Sequence, residues 1–410
     1  MLRGCRQAGR QGETSLRRFD RFAALEGSGT HSASVSVGAV CGTGRLDVLL
    51  STGRHWHSPL RLYRNEGGGL FSAGAVVGAE AGYRSYGVPF ADLDGSGQLG
   101  FVVGTDKGAT KPVFLGDGKG SFRLSGHIDD IGATRNIALA DLTGNGHADV
   151  VICNRRAQGF VFLNDGTGNF SEKRPFGGPL DSNVTVLAAD TTSSGKLDLV
   201  LARRDGQQSV VLLNDGQANF DSAVPFGPPD ADTRAIAVGR LLGGASVDIV
   251  ACHLGIGTFI YACAKSPNRR DGGTGRHGGG YSAVVKLADG ADNFFCLQVA
   301  DLRLAGCLDI VAGNTGSRRS VVFFNNAAQG GGTTTTTAAA AEQHADSASG
   351  GGGGGDGKRL FTPLEFGEQD GAETDTYGLA VADLTGDGFP DIVVARSGGP
   401  SGVFFSDPIS

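Results

Sequence analysis

The chain has 410 residues, with 70 glycines against one methionine and one tryptophan, and a formal net charge of −6. That length holds two or three average domains or one large all-β assembly, and glycine without a collagen period means many turns between short strands. The negative balance excludes generic nucleic-acid binding, which needs a basic surface, and no apolar run approaches the roughly 18 residues of a membrane-spanning helix.

In chain order, residues 1–14 are basic, lack the apolar core of a secretory signal and are expected to be disordered. They leave the compartment open: the protein is intracellular, or a fragment, or leaves the cell by an unrecognised route. Seven cysteines, an odd number without CxxC spacing, argue against a disulfide framework or a zinc site. Cys153 and Cys252 lie within apolar runs and read as small core residues.

The rest of the chain repeats one unit. Its signature is a nine-residue loop: AVCGTGRLD from Ala39, DLDGSGQLG from Asp92, DLTGNGHAD from Asp141, DTTSSGKLD from Asp190, RLLGGASVD from Arg240, DLRLAGCLD from Asp301 and DLTGDGFPD from Asp383. The starts keep a base period of about 49 residues, stretched by two low-complexity insertions, 266–280 and 329–357. Those insertions cannot bury enough apolar surface to order themselves.

Each unit reads as four short strands. In the third they are Asn136–Ala140, Val150–Asn154, Gly159–Leu163 and a fourth from Phe170, behind the turn NDGTGN. The turn recurs as GDGKGSF at Gly116–Phe122 and NDGQANF at Asn214–Phe220, an Asp-Gly hairpin signal with an aromatic anchor. Seven such units over residues 15–410 predict an all-β, seven-bladed β-propeller of four-stranded antiparallel blades. The last unit stops after a third strand at Val403–Phe405, while Ser15–Leu25 looks like the fourth-strand segments. The N-terminal strand is therefore predicted to complete the last blade and close the ring.

A hard cation such as Ca²⁺ takes six to eight oxygens, and a tight Gly-rich turn aims alternate side chains at one point. An EF-hand would need Glu at position twelve, where the seventh loop has Val394, so this is a hairpin loop. The seventh loop offers Asp383, Thr385, Asp387 and Asp391, and the third Asp141, Thr143, Asn145 and Asp149. The second has Asp92, Asp94 and Ser96 but Gly100 at position nine, and the fourth has Asp190, Thr192, Ser194 and Asp198. The first keeps only Asp47, the fifth only Asp248, and the sixth carries Arg303 and Ala305 between Asp301 and Asp309; in these the turn alone is the better reading. An aspartate at position nine survives where the other ligands have gone, so it is expected also to cap strand two.

These D-x-[DT]-G-[DNS]-G-x-x-D loops and NDGxGxF turns resemble the FG-GAP/VCBS repeats, the β-propeller class that includes the integrin α-subunit head. The resemblance covers essentially the whole chain. It implies Ca²⁺ in the loops between strands one and two, with the Phe389 and His147 carbonyls as further ligands, and a binding partner on the opposite face. It also implies an extracellular or cell-surface setting. The class includes adhesion modules, lectin-like binders and a few carbohydrate lyases, so the fold selects no function by itself.

That opposite face carries the loops between strands two and three, with arginine-rich tips at Arg155, Arg156, Arg203, Arg204, Arg318, Arg319 and Arg396. Counting six residues back from the loop starts gives Tyr86, Arg135, Val184, Arg234, Phe295 and Tyr377 as a ring around the central channel. Arginine forks suit carboxylate or sulfate, and aromatic faces suit sugars; the plainer reading pairs these arginines with Asp205, Asp230 or Asp232. Trp56, between His55 and His57, is a sugar platform or a cover over a blade edge, and strand-like alternation points both histidines to one side. No GxSxG, HExxH or complete GxxxxGK[ST] motif is present. A lyase base would have to come from His55, His253, Tyr83 or Tyr86. The sequence predicts a monomeric, non-enzymatic, calcium-binding interaction or adhesion module. Its protein or glycan ligand would sit opposite the calcium loops, an anionic glycan or acidic protein segment fitting the arginines. A lectin or polysaccharide lyase on the same propeller is the alternative.

Overall fold

A computed structural model describes residues 16–263, 280–316, 318–329, 360–367 and 374–409. Segment 1–14 and the bodies of the two insertions lie outside the described residues. The second strands explain the architecture. Asp149–Asn154 and its counterparts Asp47–Thr52, Asp248–His253 and Asp309–Asn314 are buried at every position. A strand apolar on both faces needs a neighbouring sheet on each side, and a ring of blades supplies that.

Seven four-stranded antiparallel sheets follow one another around the ring. Blade three contains Thr134–Ala140, Asp149–Asn154, Gly159–Leu163 and Glu172–Phe176 in that spatial order. Its last strand begins two residues beyond the expected Phe170, which is instead buried as an anchor behind the turn. Blades five and six resume after their insertions with Tyr281–Asp289 and Phe361–Phe366. In blade two the inner strand is broken: Ser85–Gly87 pairs with Gly104–Thr105, and Phe90–Asp92 pairs with Leu99–Val102.

The ring closes through both ends of the described chain. Arg17–Ala24 lies antiparallel to Gly402–Pro408 as the outer strand of the blade formed by Asp375–Ala382 and Asp391–Ser397. Phe19 is buried 6.1 Å from Phe366 of the neighbouring blade, and Phe22 packs 4.6 Å from Phe404.

The core lies between blades. Val150 and Ile152 pack toward blade two with Leu93, Val102 and Val113, while the alternate residues Val151 and Cys153 pack toward blade four with Leu199 and Leu201. Period-two alternation thus splits one strand between two cores, each fully buried aliphatic side chain contributing about 1.5–3 kcal/mol. Polar staples join the same blades. The Asn164 amide donates to the Leu93 carbonyl of blade two at 2.9 Å, and Asn214 to Leu142 of blade three at 2.8 Å. Asn325 reaches Leu241 of blade five, and Asn65 reaches Leu384 of blade seven, both at 2.8 Å.

Candidate functional site

Every inner strand carries a β-bulge near its start. In blade three Thr134 pairs with Asn154 and Asn136 with Cys153, leaving Arg135 between them unpaired. The same irregularity skips Ala33, Tyr86, Val184, Arg234, Phe295 and Tyr377 in the other six blades. A bulge re-aims the extra side chain. All seven of these residues line a cavity of about 420 Å³ at one end of the central channel. The nine-residue loops end the same strands, so they open on the other face of the disc.

Around this mouth cationic and aromatic side chains meet in pairs. Arg135 lies 4.5 Å over the Tyr86 ring, Arg234 5.4 Å over Phe295, and Arg54 3.6 Å over Tyr377. Phe295 and Tyr377 meet edge to face at 5.4 Å. Blade one has only Ala33 at its bulge, and its two–three loop fills the gap with Arg54 and His55; the His55 ring bonds the Tyr86 hydroxyl at 2.8 Å. Burial, with Arg54 and Arg135 adding to it, lowers the His55 pKa. Burial raises the phenols of Tyr86 and Tyr377.

Most arginines at the mouth have carboxylate partners. Arg135 pairs with Asp106 at 2.8 Å and Arg234 with Asp232 at 3.1 Å. Arg155, Arg156 and Arg204 converge on Asp205 at 3.0, 3.1 and 3.2 Å. Burial opposes ionisation of Asp205, yet bonds from Arg155 and Ser182 hold it well below the usual carboxylate range. Three guanidiniums on one carboxylate leave positive charge over. Arg203 turns away to Asp181, Arg318 pairs with Asp292, and Arg396 is buried over Phe404 and Phe22.

Residues 54–57 do not alternate as a strand. Gly53 and Arg54 take positive φ values of 97° and 34°, which make a turn and send successive side chains apart. His55 faces Tyr86, Trp56 stacks 4.6 Å from His31 with 56% of its surface exposed, and His57 reaches the Gly82 carbonyl. The two histidines therefore do not share a side. His253 is fully buried between the Thr233 hydroxyl at 2.9 Å and the Tyr261 hydroxyl at 2.7 Å, and burial lowers its pKa to about 4. It cannot meet a substrate.

On the loop face the aspartates first serve their own turns. The Asp383 carboxylate accepts the Gly386 and Gly388 N–H groups at 2.7 and 2.8 Å, and Asp387 accepts from Phe389 at 2.9 Å. Asp141 accepts from Gly144, Asn145 and Gly146, and Asn145 from His147. Asp190 accepts from Ser194 and Gly195, and the Ser194 hydroxyl from Lys196. In the second loop Asp92 accepts from Gly97, Asp94 from Ser96, and Ser96 from Gln98.

The position-nine aspartates share one structural task. Asp391 accepts from Leu384, Thr385 and Ser406; Asp149 from Leu142 and Asn164; Asp198 from Thr191 and Asn214. In the loops with fewest ligands the task is divided: Asp47 accepts from both Val40 at the loop start and Asn65 after strand three, Asp248 keeps only the loop-start pair Leu241 and Leu242, and Asp309 accepts from Asn325 and from the Arg303 side chain. At Gly100, a Cβ would fall 2.4 Å from the Phe114 carbonyl, so no aspartate fits there.

Among the described residues no three His, Cys, Asp or Glu side chains gather to hold a metal ion. The loops' donor sets instead mix one or two carboxylates with hydroxyl, amide and carbonyl oxygens. Two ligand-position atoms fit a cation: Asp92 Oδ1 and Thr143 Oγ1 are buried without a hydrogen-bond partner. A buried oxygen left unpaired costs about 1–3 kcal/mol, which a captured cation would offset.

Comparison with known proteins agrees with this anatomy. Residues 141–200 match the FG-GAP-like repeat and residues 376–405 the FG-GAP repeat. No curated protein matches the chain in sequence. Among solved structures, BBS1N in complex with ARL6DN, soaked with mercury, is similar at TM-score 0.59 and 8% identity, covering 96% of this chain and 97% of that one. A lectin from Agrocybe aegerita that recognises non-reducing terminal N-acetylglucosamine is similar at TM-score 0.50 and 21% identity, covering 72% and 77%. At such identities the likeness is one of fold.

Proposed function

From the premise that this chain belongs to the FG-GAP repeat family and folds as a seven-bladed propeller, we propose a monomeric, non-catalytic binding module that takes a glycan at the channel mouth. The observation that carries the reading is the bulge-built ring, where Arg135, Arg234 and Arg54 lie over Tyr86, Phe295 and Tyr377 around a 420 Å³ cavity. Sugar rings pack on aromatic faces, and arginine forks fix polar substituents. The lectin's similar fold supports the reading by analogy.

Calcium has a supporting part in this proposal. Asp92, Asp94 and Ser96, then Asp141, Thr143 and Asn145, then Asp383, Thr385 and Asp387 would hold Ca²⁺ in the second, third and seventh loops, with the His147 and Phe389 carbonyls. Asp190, Thr192 and Ser194 form a weaker fourth set. The ion supplies positive charge that fixes the hairpin, and the position-nine aspartates Asp149, Asp198 and Asp391 hold the same hairpins through backbone N–H groups.

A second reading, an acidic protein segment, is favoured by exposed Trp56, Ile131, Leu180 and Ile256 on this same face. A glycan array probed with the protein and an Arg135→Ala/Arg234→Ala variant separates the two. Glycan binding lost in the variant supports the module; binding that survives counts against the ring. A silent array with capture of an acidic peptide favours the second reading.

A further inference from the structure

One cation at the mouth differs from the rest. Arg135, Arg155, Arg156, Arg204 and Arg234 each face a carboxylate. Among the described residues Arg54 has none within 4.0 Å; its guanidinium rests on the Tyr377 ring, 3.6 Å from the centroid. The Tyr377 hydroxyl is itself turned to Asp375 at 2.6 Å, so that carboxylate is engaged.

The backbone holds Arg54 there against its own preference. A φ of 34° is an uncommon conformation for a residue with a Cβ, and such strain clusters at ligand clamps. Gly53 before it cannot be replaced without collision, since a Cβ would meet the Trp56 carbonyl. Ala33 is the smallest of the seven bulge residues, and Arg54, filling the gap it leaves, lines the cavity beside it. Ser34, Ser36 and Thr185 bring hydroxyls to the cavity wall.

We propose that Arg54 anchors a carboxylate subsite at the channel mouth, taking the acid group of a uronic-acid-type sugar. The guanidinium fork offers two parallel N–H donors to a planar carboxylate. Tyr86 and Tyr377 flank the sugar ring, and the wall hydroxyls meet its hydroxyl groups. The inference rests on the glycan reading and narrows it to an acidic sugar.

The test is calorimetric titration of the whole protein with an acidic peptide and three sugar probes of matched length: an oligouronate, its neutral counterpart and an O-sulfated neutral oligosaccharide. The oligouronate should bind best, and Arg54→Gln should weaken it about tenfold or more, a larger loss than it causes for the neutral probe. Arg54→Gly, whose backbone suits a positive φ, serves if the Gln variant fails to fold. Unchanged oligouronate affinity in a folded Arg54 variant, or equal affinity for acidic and neutral probes, overturns the subsite while the glycan module stands. Preference for the sulfated probe overturns the carboxylate assignment. Binding of an acidic peptide with none of the sugars overturns the sugar reading itself, and no binding by any probe overturns both.

Discussion

Loops six and seven share one nine-residue frame and treat its central charge differently. Loop seven arranges Asp383, Thr385 and Asp387 around its turn, an oxygen set that suits a captured cation. In loop six the residue at the third position is Arg303, whose guanidinium donates to Asp309 at 2.9 Å with both side chains buried. It also bonds the Asn325 carbonyl and lies 4.9 Å over Phe324. In the proposed reading loop seven takes its positive charge from solution, whereas loop six carries it on the chain. What both keep is the position-nine aspartate on the backbone of its neighbours, so the hairpin is the common requirement and the ion an option.

Breaking the internal cation should have the largest effect. Arg303→Met strands a fully buried Asp309 and is expected to cost ~3–5 kcal/mol of stability. Adding Asp309→Asn should restore part of it, because it removes the unpaired buried charge while the amide oxygen can still accept from Asn325. Urea melts of the two variants measure this, and wild-type stability in Arg303→Met would sink the comparison.

Asp248→Ala tests the aspartate where no other ligand survives. It frees the Leu241 and Leu242 N–H groups from an acceptor at 2.9 and 3.0 Å and should cost ~2–4 kcal/mol. Next comes calcium itself. The ion at a hundredfold over its Kd should stabilise each occupied loop by ~2.7 kcal/mol, raising Tm. Asp141→Asn with Asp383→Asn should remove most of that rise, whereas Asp301→Asn in loop six should leave it intact.

The smallest effect is a proton's. At the far end of the strand that Asp248 caps, His253 has a folded pKa of about 4 against 6.5 when free. The unfolded chain takes the proton first, so this contribution is full above about pH 6.5 and falls away as pH drops toward 4, with ~2 kcal/mol lost at pH 5. His253→Gln should remove that part of the acid sensitivity, measured as the difference between the two pH–stability curves.

Much of this anatomy was legible because the loops anchor a register. The position-nine aspartates fix where strand two begins, and a constant inner strand carries the count back to Arg135, Arg234 and Tyr377. The bulge was not legible. It arises from strand pairing, and the residues it displaces, from Ala33 to Phe295, share no chemistry. Nor was the Asn staple, although Asn65, Asn164, Asn214 and Asn325 recur after the third strand; its partner carbonyl lies in another blade. The His55–His57 expectation failed because residues 53–56 form a turn, where the period-two alternation of a strand does not apply. Of the candidate arginine partners Asp205, Asp230 and Asp232, the first and last pair with arginines and Asp230 does not among the described residues, and the convergence of three guanidiniums on Asp205 was not legible.

The strand Arg17–Ala24 meets its partner across 386 residues, as between Arg21 and Asp407. At about 5–20 residues per second, a ribosome needs roughly 20–80 s to make that interval. Throughout it the segment has no sheet to join, and apolar side chains left open in this way can recruit other chains. Its sequence, RRFDRFAA, answers this with three arginines and an aspartate interleaved among its phenylalanines. The same charges later pair with Asp407 and lie over Phe389 and Phe405. The clasp of the finished ring thus carries the charge interleaving that lowers a segment's tendency to aggregate.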